Sequence, residues 1–116
     1  MSRINKKLIL ECLQELSDRD TQLRLWLSDG KNNRDVSSFI EACEGLFGDS
    51  YLNEVLAKGY TGFGIEAENV LLQLHDLIHK IDGYTDPQEL IDSENLVRVR
   101  ALASMALRLI VKEEMG

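Results

Sequence analysis

SENLVRVRALASMALRLIVKE, residues 93–113, is the stretch that decides the fold class. Leu96, Val99, Leu102, Ala103, Ala106, Leu107, Leu109 and Ile110 recur at helical spacing over a wide arc, and Arg98, Ser104, Arg108 and Lys112 form only a narrow polar strip. A helix apolar around most of its girth needs neighbours on several sides. It therefore predicts the central helix of an all-α bundle.

Outward from that helix, each neighbouring segment also reads as helical. Asp86-Pro87-Gln88-Glu89 is a helix start in which Asp caps, Pro takes the first position and Glu the third. Asp92 and Ser93 keep that helix short. Val70, Leu71, Leu74, Leu77, Ile78 and Ile81 fall within about a third of a helical circumference, which predicts an amphipathic helix over 65–81 that Gly83 ends. Ser38-Phe39-Ile40-Glu41 has the capping-box form and opens a helix to Phe47. Gly48-Asp49-Ser50 punctuates it, and Ser50 caps a short helix through Leu56 that Lys58 and Gly59 stop.

At the N-terminal side, Ile9, Cys12, Leu13 and Leu16 mark a first helix over 2–16, with a cap or turn at 17–20. In TQLRLWLSD, Leu23, Leu25 and Leu27 alternate as in a strand, whereas Leu23, Trp26 and Leu27 fit a helical stripe. A lone short strand has no partner, so helix is the better reading. DGKNNRDVSS and KGYTGFG are loops. The glycines of KGYTGFG follow no strand and lack a Lys-Ser/Thr pair, so they do not make a phosphate-binding loop. The expectation is an all-α, compact single-domain bundle of about five or six helices over residues 1–116.

Composition narrows the function. The chain is 44% hydrophobic and 28% charged, with a formal net charge of −7, a globular profile without the positive field that nucleic acid requires. No apolar run approaches the ~18 residues of a membrane span. Glu11, Gln14 and Glu15 interrupt the apolar patch that follows the basic N-terminus, which argues against a signal segment and for a cytoplasmic protein. Cys12 and Cys43 show neither a CxxC nor a metal-ligand spacing and fall on apolar helix faces, as small buried hydrophobes do.

The charge is unevenly spread. Residues 1–34 carry seven basic and five acidic side chains, residues 95–116 four and two, and residues 35–94 only Lys58 and Lys80 against thirteen acidic ones. Such a block is either a solvated face or a docking face for a basic partner, whose complementary charge speeds association and sharpens specificity.

Catalytic patterns are weak. His75 and His79 stand four apart on one helix side, but a zinc-protease motif needs Glu where Asp76 stands, and no third ligand is specified. No nucleophile elbow marks a hydrolase triad. The chain is therefore read as non-enzymatic, with no metal or cofactor. Tyr60 and Phe63, aromatics in a Gly-rich loop, either tuck onto the core or meet a partner. The predicted contact surface is Tyr60, Phe63, Asp76, Asp82, Asp86 and Glu89.

Three segments carry a resemblance: LSDRDTQLRLW at 16–26, EACEGLFGDSYL at 41–52 and DPQELIDSENLVRVRALA at 86–103. Their order resembles small, largely uncharacterised bacterial cytoplasmic proteins of the immunity-protein type. Where such families carry a tryptophan just before the last helix, this chain has Asn95-Leu96. The resemblance implies function by binding, without catalytic residues. The expected function is an immunity protein that neutralises a basic bacterial toxin domain, such as a nuclease, through an acidic surface. The alternative is a homodimeric adaptor or regulatory subunit.

Overall fold

The computed structural model describes residues 4–27, 38–59 and 61–115, with side chains to residue 112. Among the described residues seven α-helices follow one another: α1 (Lys6–Ser17), α2 (Arg19–Trp26), α3 (Phe39–Glu44), α4 (Leu52–Lys58), α5 (Ile65–His79), α6 (Pro87–Ile91) and α7 (Glu94–Met115). A π-helical segment, Gly45–Asp49, joins α3 to α4. There is no strand among the described residues, and none of their helices is long and apolar enough to cross a membrane. The helix count exceeds the expected five or six because the short α4 and α6 are each closed by their own caps.

α7 packs along both α1 and α5 and also meets α6. Leu96, Val99, Ala103, Ala106 and Ile110 are fully buried, a stripe at i+3/i+4 spacing. Leu102, Leu107 and Leu109 flank the stripe half-buried, while Val97, Met105 and Val111 are exposed. The central helix is thus covered on two sides and faces solvent on the third, a narrower burial than its composition predicts. Against it lie Ile9, Leu13 and Leu16 of α1 and Leu71 and Leu74 of α5, all fully buried. Each such side chain contributes about 1.5–3 kcal/mol of transfer free energy. The described residues span 40 × 28 × 24 Å.

Helix starts follow local chemistry. The first helix begins four residues later than predicted, because Asn5 accepts the Leu8 N–H at 3.1 Å and so caps it. Asp18 breaks α1 from α2 in an extended conformation, and Thr21 Oγ1 donates to its carboxylate at 2.6 Å. Ser38 accepts the Glu41 N–H at 3.1 Å, and Asp86 the Glu89 N–H at 3.2 Å ahead of Pro87, as the sequence predicts. Gly59, at φ 71°, ends α4 in the left-handed region that favours glycine. The predicted loop at 29–38 lies outside the described residues except for Ser38.

TQLRLWLSD is helical through Trp26, but its inward face differs from the predicted one. Trp26 is buried, Leu27 is exposed, and Gln22 takes a fully buried position. Its Nε2 donates to the carbonyls of Glu15 (3.2 Å) and Leu16 (2.9 Å), which a helix end leaves without intrahelical partners. Its Oε1 accepts from Arg100 Nη1 at 2.9 Å, and Arg100 also donates to the Ile91 carbonyl at 3.1 Å. Gln22 and Arg100 together therefore tie α1, α2, α6 and α7 to one another.

Candidate functional site

The ridge formed by α3 and the π-helical segment carries the local irregularities of the fold. Ser50 N–H donates to the carbonyl of Gly45, five residues back, at 3.2 Å. Such wide turns are rare and recur at functional sites. Gly45 sits where α1 comes closest: a Cβ there would lie 2.8 Å from Cys12 Sγ. The fully buried Ser50 donates its hydroxyl to the Leu46 carbonyl and accepts the Leu52 N–H at 3.2 Å. Its own carbonyl accepts from Asn5 N–H at 2.9 Å, which pins the corner to the start of α1. Tyr51 follows at φ 64° with its ring exposed. A left-handed conformation costs an L-residue roughly 1–2 kcal/mol, and backbone strain of this kind clusters at functional sites.

Two grooves flank the ridge. On the α1 side, a groove of about 310 Å³ is lined by Leu8, Glu11, Cys12, Glu15, Glu41, Ala42, Glu44, Gly45 and Asp49. Five carboxylates thus meet there from three elements, with no Lys or Arg among the described lining residues. Trp26 Nε1 donates to Glu15 at 2.7 Å, so α2 fixes one of the five, and the Trp26 ring meets Phe39 edge-on at 5.9 Å. Cys12 forms part of the groove. Burial and then the charges of Glu15, Glu11 and Asp49 push its thiol up to about 11. Cys43 is pushed up further, by burial first and then by Cys12, Glu15 and Glu44. Both thiols stay protonated at neutral pH, the inert form of cysteine.

On the α5 side, a groove of about 420 Å³ runs between the ridge and the end of α5. Phe39, Ile40, Cys43, Phe47, Ile78 and Ile81 supply its apolar lining, and Glu44, Asp49, Asn53 and His79 its polar groups. Glu44 and Asp49 therefore border both grooves. Gly83 brings the turn after α5 against the ridge. A Cβ there would come within 2.6 Å of Ile40 Cγ1, so only glycine fits this approach unless Ile40 moves.

His75 and His79 stack with centroids 4.2 Å apart, and Phe47 meets His75 edge-on at 5.0 Å. His79 Nδ1 lies 2.8 Å from the His75 carbonyl oxygen, to which it donates. No group of three potential metal ligands forms among the described residues.

The residues singled out in the sequence fall in several places. Phe63 is buried, with Lys6 Nζ 5.8 Å from its ring centroid, so this aromatic belongs to the core rather than to an exposed contact surface. Glu68 holds its loop by accepting from Thr61 N–H and hydroxyl. Tyr60 lies outside the described residues. Asp76 is exposed beside His75, with Oδ1 3.8 Å from Nδ1. Asp82 accepts the Tyr84 N–H at 2.9 Å, and Asp86 caps α6 close to the exposed Glu89. Asp82, Asp86 and Glu89 thus share the corner between α5 and α6, whose turn also lends Ile81 and Gly83 to the apolar groove.

Sequence reading missed Glu11, Glu15 and Tyr51. Glu11 and Glu15 lie in a segment of net positive charge, which hides them in any count by segment. Their i, i+4 spacing beside Cys12 was the available signal, since it puts both on one helix face. The chain matches no family model, no curated protein and no solved structure.

Proposed function

We propose that this chain is a non-catalytic binding protein that neutralises a basic protein domain, as an immunity protein neutralises its toxin, and that the acidic ridge is its docking face. One observation carries the reading: five carboxylates from α1, α3 and the π-helical segment surround one groove without a Lys or Arg among the described lining residues. Like charges held together cost stability, and a partner's cations relieve that cost when they dock. Burial is the main cause of the raised Cys12 thiol, and the charges of Glu15, Glu11 and Asp49 add to it from the same groove. The wide π turn and the left-handed Tyr51 lie on the same ridge and fit a surface shaped for contact. Asp82, Asp86 and Glu89, at the corner between α5 and α6, are further carboxylates that a basic partner can meet.

The test is growth rescue. The reading frame adjacent to this one is expressed alone and then together with this chain. Toxicity alone and rescue on co-expression support the reading. Glu11→Lys/Glu41→Lys/Glu44→Lys, at three exposed positions, should abolish rescue while keeping the helical circular-dichroism spectrum. A neighbour that is harmless, or still toxic beside this chain, removes the cognate pairing.

The homodimeric adaptor draws on a different face. Val97, Met105 and Val111 are exposed on α7, and Leu72 on α5. Light scattering over a concentration series separates the two readings, because a stable dimer that leaves the ridge solvated favours the adaptor.

A further inference from the structure

We infer that the groove between the ridge and the end of α5 seats an amphipathic, basic segment of a protein partner, with a large apolar side chain in the groove and Lys or Arg on Glu44 and Asp49. The inference rests on the binding function proposed above and gives that function its anchor. The groove is open to solvent, and its volume, about 420 Å³, is room for a large side chain. Ile40, Cys43 and Ile81 are only half-buried there, so apolar surface is left for an occupant to cover. Both charged groups on the described rim are carboxylates, and both are exposed. An apolar anchor with flanking cations fits that rim, whereas one with flanking carboxylates is repelled. Because Glu44 and Asp49 also border the acidic groove, cations beside the anchor reach the Glu11, Glu15 and Glu41 side of the ridge. Central apolar anchors carry most of the energy of protein interfaces, and rim charges set rate and specificity.

Gly48 gives a direct test. It lines the groove, is exposed, and a Cβ built on it meets nothing within 4 Å. Gly48→Trp therefore puts a bulky ring at the groove wall without displacing the core, and Gly48→Ala is its smaller counterpart. The probes are three fluorescein-labelled synthetic peptides: one of Leu and Phe with Lys and Arg, a second with Ser in place of the apolar residues, and a third with Glu in place of the basic ones. Fluorescence anisotropy at low salt should show the first peptide binding at least tenfold more tightly than either other. Gly48→Trp and Glu44→Lys/Asp49→Lys should each weaken it tenfold or more, Gly48→Ala, which adds one methyl group, should weaken it far less, and Val97→Ala, exposed on α7 outside the groove, should leave it unchanged. The Ile40, Ile78 and Ile81 methyl resonances should shift on binding. Equal binding of the two basic peptides, untouched by Gly48→Trp, overturns the groove while leaving a basic partner in place. Binding of the Glu peptide alone overturns both readings. Binding of none overturns the groove, and growth rescue then decides the partner separately.

Discussion

At the last turn of α1, Gln22 donates to the carbonyls of Glu15 and Leu16 and accepts from Arg100, while Arg19 Nη2 meets Asp92 at 2.7 Å. On the side of the same helix that faces α3, Glu11 and Glu15 join Glu41, Glu44 and Asp49 around a groove lined, among the described residues, by no Lys or Arg. In the first region no buried side-chain polar atom is left without a partner among the described residues. Arg19, and then Gln88, hold the Asp92 carboxyl below the ordinary carboxylate range. In the second region like charges collect, and they add to the burial that raises the pKa of the thiol among them. Matched polar groups serve the fold, because an unmatched buried donor costs more than a formed hydrogen bond returns. Glu11, Glu41, Glu44 and Asp49 bring no such matched pair to their groove, and under the function proposed above they are the groups that meet a partner's cations.

The largest expected effect breaks the matched region. Gln22→Ala leaves Arg100 and two helix-end carbonyls without their amide partner and opens space in the core. It should cost about 2–4 kcal/mol in urea unfolding. A loss below about 0.5 kcal/mol would show that the tie between the four helices is dispensable.

The second effect reads the unmatched region through Cys12. Its folded pKa, about 11, lies above the reference value of 9.0, so the folded state holds the proton longer. The stabilisation is complete below pH 9 and is lost as pH rises to about 11, at up to ~1.4 kcal/mol per pH unit. Cys12→Ala should make the stability profile less steep over that window, leaving the slope that Cys43, raised further, contributes there. Glu11→Gln/Glu15→Gln should make it shallower, because those two charges contribute to the shift. An unchanged slope in Cys12→Ala would assign the pH dependence to other groups.

The smallest effect sharpens the comparison. Glu41→Gln/Glu44→Gln/Asp49→Asn removes repulsion at exposed positions and should raise stability by no more than about 0.5 kcal/mol at low salt, with the gain fading at high salt. A clear loss of stability would mean that these carboxylates hold the fold after all, and the contrast between the regions would close.

Much of the fold was legible in local patterns. The i+3/i+4 stripe from Leu96 to Ile110, the Asp86-Pro87 start and the Ser38 cap act within a few residues, so sequence spacing is enough to reveal them. The inward turn of Gln22 was not legible, because α2 alone contains no reason to bury an amide. That reason is supplied by Arg100, 78 residues away. The π-helical turn at Gly45–Asp49 escaped for a similar cause. Gly45 reads as an ordinary helical glycine until Cys12 Sγ stands against it. Counting charge by segment likewise separated Glu11 and Glu15 from Glu41 and Glu44, which packing places around one groove.

The sequence by itself determined that this protein is helical and where most of its helices begin, since periodicity and capping are properties of neighbouring residues. It also determined an excess of negative charge, a property of composition alone. Only the tertiary structure decided which carboxylates share a groove, which aromatic is buried and which face of α7 meets solvent. Those outcomes depend on pairs of residues distant along the chain, brought together by apolar faces that must be covered whatever charges they carry with them.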